Sequence, residues 1–262
     1  MSIRKCEFIT GEFYHVYNRG VDKRTVFEDG RDFFKFFEMI ELFNQDRSCG
    51  SVKEYQYPKN LKHGGLASVL VEIVAFCFLP NHYHLILRQK VDGGISKFMQ
   101  KIGTGYTMYF NKKNERSGSL FQGKFKAKHV EGRSALEYLS VYVNLNFKVH
   151  NLMTNKNEEI RYGGEKYRSS FLEYVKRSDG KKRCVTNHVL KLFNNDQGKY
   201  EKYANRQISA MTDVKVAEKN QKKLFIGTVS NSTLKYFKNL TENIITRKNR
   251  SFVKKGLTSA EL

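Results

Sequence analysis

The sequence predicts an α+β fold: an antiparallel sheet in a split β-α-β arrangement, backed by helices and followed by a basic helical C-terminal extension. Three observations predict it. Runs with the period of a strand alternate with runs of helical period in the order strand, helix, strand, strand, helix, strand, helix. Leu79-Pro80-Asn81 separates two apolar runs as a tight turn would. The charge is lopsided: of a total of +21 in 262 residues, the stretch from 171 to the end holds 20 Lys+Arg against 8 Asp+Glu.

The elements follow in order. Phe13 to Asn18 alternates as a first strand and ends in Arg19-Gly20. Arg31 to Asn44 carries Phe33, Phe34, Phe36, Phe37, Ile40, Leu42 and Phe43 at helical spacing. Gln45 to Gly65 is polar and glycine-bearing and reads as a loop or frayed hairpin. Leu70 to Leu79 is a β-branched and aromatic strand, and His82 to Leu87 returns antiparallel. Beyond Gly93-Gly94, Ile95 to Asn111 fits a helix tolerating Gly103 and Gly105. The Gly103-Thr104-Gly105 triplet lacks the third glycine and preceding strand of a phosphate-binding loop and is set aside. Leu120 to Val130 reads as extended. Ser134 is the expected N-cap of a helix from Ala135 to about Val149, with Glu137 completing a capping box. These elements define a first domain, 1–172, and a basic, mainly helical region, 173–262. In the latter, Thr186 would cap a short helix burying Val189, Leu190 and Phe193, and Ser230 to Arg250 repeats apolar residues at helical spacing among lysines and arginines.

Composition narrows the function. An excess of 47 Lys+Arg over 26 Asp+Glu is the electrostatic footprint of a polyanion partner, because bound cations release the counterions condensed on phosphates. Fifteen tyrosines and twenty phenylalanines supply rings on which unpaired bases can stack. Cys6, Cys49, Cys77 and Cys184 have no Cys-x-x-Cys spacing, and Cys77 reads as a small hydrophobe inside a strand. No stretch reaches the ~20 apolar residues of a membrane span, and the opening residues show no secretory pattern. A cytoplasmic protein without membrane association is expected.

The chemistry is concentrated at His82-Tyr83-His84. Alternate strand residues share a face, so His82 and His84 point together and can hold one divalent metal ion. A bare His-x-His is equally consistent with polar residues on a sheet surface. On the later helix, Tyr138, Tyr142 and Asn146 recur every four residues and form one stripe, while Leu136, Leu139, Val143 and Phe147 form another suited to packing. If the polar stripe faces the histidines, Asn146 offers a carboxamide oxygen as third ligand and Tyr142 a phenol one turn away. A tyrosine beside a metal on a basic surface fits phosphodiester attack with a covalent tyrosyl intermediate.

Leu79-Pro80-Asn81-His82-Tyr83-His84-Leu85 resembles the signature of single-tyrosine HUH transposases, and its Pro-Asn lead resembles the REP-associated tyrosine transposases. The similarity continues through Tyr14-His15-Val16-Tyr17-Asn18-Arg19-Gly20, Tyr106 to Asn111, Gly118 to Phe125 and Tyr142-Val143-Asn144-Leu145-Asn146, with a weaker echo at Tyr167-Arg168-Ser169-Ser170. The resemblance implies a ferredoxin-like HUH topology and a metal-dependent endonuclease and strand transferase acting on single-stranded DNA near hairpins. It implies a 5′-phosphotyrosine intermediate, Tyr142 as nucleophile, and Mg²⁺ or Mn²⁺ at His82, His84 and Asn146. Three departures stand out: Phe147 replaces the usual proline after the asparagine, Lys124 replaces the arginine of a Gly-Arg-aromatic motif, and Tyr167 replaces a tryptophan. Single-stranded or hairpin DNA is the expected partner, and a homodimer sharing its active sites is an arrangement the wider group allows.

Arg19, Lys124, Lys126 and Lys128 are candidate phosphate contacts, the last two on one face of their segment. Tyr106 and Tyr109 are candidate base-stacking or packing rings in the nucleic-acid contact set. Tyr138 is the alternative nucleophile. His15, His63, His129, His150 and His188 lack ligand spacing and default to surface or structural roles. Two rival functions are weighed: a domesticated, non-catalytic binder of structured nucleic acid, and a small-molecule metal hydrolase, which would leave +21 without a purpose.

Overall fold

A computed structural model describes residues 7–46, 68–154, 169–175 and 182–208, with side chains to 148 in the second segment. The elements are β1 (Phe13–Arg19), α1 (Gly30–Phe43), β2 (Val71–Leu79), β3 (His82–Gln89), α2 (Gly94–Lys113), β4 (Lys126–His129) and α3 (Arg133–Thr154). They are followed by α4 (Phe171–Tyr174), α5 (Asn187–Leu190) and a final helix, α6, over 197–208. The four strands form one sheet in the order β2-β3-β1-β4, with every neighbouring pair antiparallel. β1 and β2 are thus parallel with β3 between them, which is the split β-α-β arrangement the sequence predicts.

The two sheet faces have different covers. Tyr14, Val16, Tyr83, Leu85 and Leu87 point to one side and are buried with the phenylalanines of α1 and with Phe98, Ile102 and Tyr106 of α2. Helix α1 starts where the Asp29 carboxylate accepts from the Arg31 and Asp32 amides. It approaches α2 so closely that a Cβ on Gly105 would lie 2.6 Å from the Phe43 ring, whereas one on Gly103 would meet nothing within 4 Å. On the opposite face, Ala75, Cys77, Leu79 and Ile86 pack against Val141, Val143 and Leu145 of α3.

That second core continues through Phe171, Tyr174, Val189, Leu190, Phe193, Tyr200 and Ala204. The expected 172/173 division therefore runs through continuous packing. It also explains why α3 is apolar on more than the one stripe read from the sequence: α5 and α6 cover its outer side. The buried Asn144 amide donates to the Tyr200 hydroxyl at 2.8 Å, and Ser170 bonds Asn144 in turn. Val189, Leu190 and Phe193 are buried as expected, although Thr186 makes no side-chain capping bond.

Two further expectations are corrected. Helix α3 begins at Arg133, after Gly132 with φ +80°, so Ser134 lies inside it and there is no capping box; Glu137 instead accepts from Arg133 Nε at 3.1 Å. The extended segment 120–130 contains only a four-residue strand, β4. The loop expected over 45–65, apart from its first two residues, and the helix expected over 230–250 lie outside the described residues. Among the described residues no helix is long and apolar enough to cross a membrane.

The outer edge of β2 does not stand open. The Ser170 amide donates to the Phe76 carbonyl at 3.0 Å, the Val185 amide donates to the Ile73 carbonyl at 2.8 Å, and Cys77 bridges Ser169.

Candidate nucleic-acid active site

Strand register assembles the site. His82 and His84 lie opposite Arg19 and Tyr17 of β1, and Tyr17 and His15 lie opposite Lys126 and Lys128 of β4. Opposed residues in an antiparallel pair share a face, so three histidines, one arginine and two lysines project on the same side as α3. Arg19, Lys124, Lys126 and Lys128 are all exposed. A cationic, solvent-facing part of the sheet thus borders the histidine pair.

The Pro80-Asn81 turn is fastened from behind. Pro80's carbonyl accepts from the Val26 and Phe27 amides at 2.7 and 3.0 Å, and Asn81's carbonyl accepts from the Gly20 amide at 2.9 Å. Gly20 is required there, since a Cβ would lie 2.4 Å from the Arg24 carbonyl oxygen. The Asn81 amide donates to the Lys23 carbonyl at 3.2 Å, which turns its Oδ1 toward His82 Nδ1 at 2.6 Å. A carboxamide oxygen only accepts, so His82 carries its proton on Nδ1 and keeps its lone pair on Nε2, the nitrogen suited to a metal.

The His82 and His84 ring centroids are 5.1 Å apart. Tyr142 of α3 stands edge-on to His84 at 5.7 Å and to His15 at 6.1 Å. Asn146, 4% exposed, is hydrogen-bonded to the Tyr142 phenol from the next turn. Burial raises the phenol above its ordinary range near 10, and the Asn146 bond pulls the other way by favouring phenolate. Helix α3 therefore brings Tyr142 and Asn146 to the histidines, while Tyr138, 40% exposed, makes no such ring contacts. Two imidazoles and a carboxamide are a donor set that could hold a divalent ion; among the described residues no group of three His, Cys, Asp or Glu side chains is gathered to do so.

The tyrosines of α2 lie elsewhere. Tyr106 is fully buried and donates to the Val26 carbonyl at 2.6 Å, so its ring has no face for a base and it leaves the contact set. Tyr109 donates to Asp32 at 2.9 Å beside Lys113, which binds the same carboxylate at 2.8 Å. Both serve the junction of α1 with α2. His15, assigned no special role from the sequence, lies at the site, with Nε2 2.9 Å from His84 Nδ1. Burial and then Lys128 lower its pKa to about 4. Tyr17 stacks on His84 at 5.8 Å. The alternation of His15, Tyr17 and Arg19 is visible in the sequence, but its meaning depends on which strand lies next to β1.

Strand register thus gathers a histidine couple beside a helix-borne tyrosine and its asparagine on one face of the sheet. Residues 50–146 match the family described as Transposase IS200 like. That stretch is similar to the IS200-like transposases, in agreement with the motif resemblance. Among solved structures, one described as a REP-associated tyrosine transposase bound to a REP hairpin shares 16% identity and covers 68% of this chain and 87% of its own, with a TM-score of 0.45. No curated protein matches the chain.

Proposed function

We propose that this protein is a transposase that cuts and rejoins single-stranded DNA near hairpins through a covalent bond to Tyr142. The observation that carries the reading is the approach of the Tyr142 ring to His84, with Asn146 bonded to the phenol. The Tyr142 oxygen attacks a backbone phosphorus, the bond to the 3′-oxygen breaks, and that oxygen leaves with a proton as a free 3′-hydroxyl. The strand's 5′-phosphate remains on the tyrosine, and attack by another 3′-hydroxyl rejoins the strands and releases the phenol. His82, His84 and Asn146 would hold Mg²⁺ or Mn²⁺, which supplies positive charge for a phosphoryl oxygen as negative charge builds there. Asn146 also favours the phenolate form of Tyr142, and its amide N–H directed at the phenol leaves the carboxamide oxygen for the ion. Arg19, Lys126 and Lys128, on the same sheet face, hold the strand's phosphates alongside, with Lys124 next to them.

The test is incubation of the protein with a labelled hairpin oligonucleotide and Mg²⁺ or Mn²⁺, followed by denaturing electrophoresis. An adduct made by the wild type and absent with Tyr142→Phe supports the reading. An adduct that persists in the phenylalanine variant overturns it, and chelator-insensitive binding with no product identifies a non-catalytic binder instead.

A further inference from the structure

His15 and His84 sit on adjacent strands and are diagonal neighbours, because His15 is opposite Ile86 and Tyr17 is opposite His84. Their rings lie nearly parallel, at 20° and 5.1 Å, with His15 Nε2 2.9 Å from His84 Nδ1. Tyr17 lies 5.0 Å from the His15 ring and Tyr142 stands edge-on to it. His15 is therefore held against His84 by rings on two sides. A neutral imidazole carries one proton, so across this contact one ring donates and the other accepts.

We infer that His15 is a positioning residue: its Nε2 accepts the Nδ1 proton of His84, fixing that ring's orientation and directing its Nε2 lone pair toward the metal position. This deepens the metal reading above. It makes the two ligand histidines alike, since Asn81 does for His82 what His15 does for His84: each receives an Nδ1 proton. A partner on the non-ligating nitrogen sets the tautomer and raises the basicity of the ligating one. His15 is not itself the third ligand, because its Nε2 is turned to a ring nitrogen and the described residues contain no three-histidine group suited to one ion.

Long-range ¹H–¹⁵N spectra of the metal-free protein test this directly. His84 is expected as the Nδ1–H tautomer in the wild type, as a tautomer mixture in His15→Ala, and again as Nδ1–H in His15→Gln, whose carboxamide oxygen can accept. A wild-type His84 protonated on Nε2 would overturn the inference. Mn²⁺ titration followed by electron paramagnetic resonance gives a second reading: affinity falls about 10- to 100-fold in His15→Ala and returns most of the way in His15→Gln. Spin-echo spectra should count two imidazoles in the wild type, and a third would make His15 a ligand and refute positioning. Unchanged affinity in a folded His15→Ala protein would sink the inference while leaving the proposed function standing. A wild type that binds no Mn²⁺ would remove the metal reading, with the tautomer spectrum still deciding the role of His15.

Discussion

Tyr142 stands edge-on to His84 of its own chain, with ring centroids 5.7 Å apart. One chain thus holds every element of the proposed site. Mixing Tyr142→Phe protein with His84→Ala protein should leave adduct formation at background in the labelled-oligonucleotide assay. Recovered adduct would mean that the phenol serves a second copy.

Asn146 tunes the Tyr142 phenol. Its bond to the phenol favours the anion, so Asn146→Ala should raise the Tyr142 pKa further. In single-turnover adduct formation followed against pH, the alkaline rise should shift to higher pH, and the rate at neutral pH should fall. An unchanged profile would remove Asn146 from the site.

The proposed phosphate contacts have a signature separate from stability. Lys126→Ala and Lys128→Ala should each lower the slope of log affinity against log salt by about 1, with little change in melting temperature. Tyr106→Phe should behave oppositely: losing the buried bond to Val26 costs about 1–3 kcal/mol of stability and leaves the salt slope unchanged.

Two interior glycines of α2, Gly103 and Gly105, should respond in opposite directions to alanine. Gly103→Ala gains about 0.5–1 kcal/mol, because the position is open and alanine is the better helix former. At Gly105 the same gain is set against overpacking of about 1–3 kcal/mol where the new methyl meets Phe43, so urea titration should show net destabilisation.

Acid sensitivity centres on Glu72. Burial alone would raise this carboxyl, but bonds from Arg88, His188 and Lys90 outweigh it and hold it at about 2. A depressed carboxylate stabilises the fold fully above its ordinary value near 4.5 and loses that contribution as the pH falls toward 2. Glu72→Gln should therefore be less stable than wild type at neutral pH, and the gap measured by thermal melts should close across that window.

The histidine couple was legible because strand alternation alone puts His82 and His84 on one face, and Tyr142 with Asn146 because a four-residue spacing stacks them on a helix. His15 was not, since its closeness to His84 comes from the pairing of β1 with β3, which no local spacing encodes. Tyr106 went astray for a related reason: an aromatic ring on a helix looks the same whether it faces the core or a ligand. The helix start at Arg133 was hidden because Ser134 and Glu137 imitate a capping box, while Gly132 makes the actual entry. The extra apolar positions of α3 became intelligible only once α5 and α6 were seen against its outer side.

The closed edge of β2 carries a consequence for the chain as a whole. Segments around Ser170 and Val185 satisfy backbone groups of a nine-residue strand rich in valine, phenylalanine and leucine. Ending the polypeptide after residue 172 would strip away the Val185 bond and the helices beyond it, leaving a sticky ribbon that recruits other copies. The segment at Val185 thus occupies an edge that another strand could otherwise pair with.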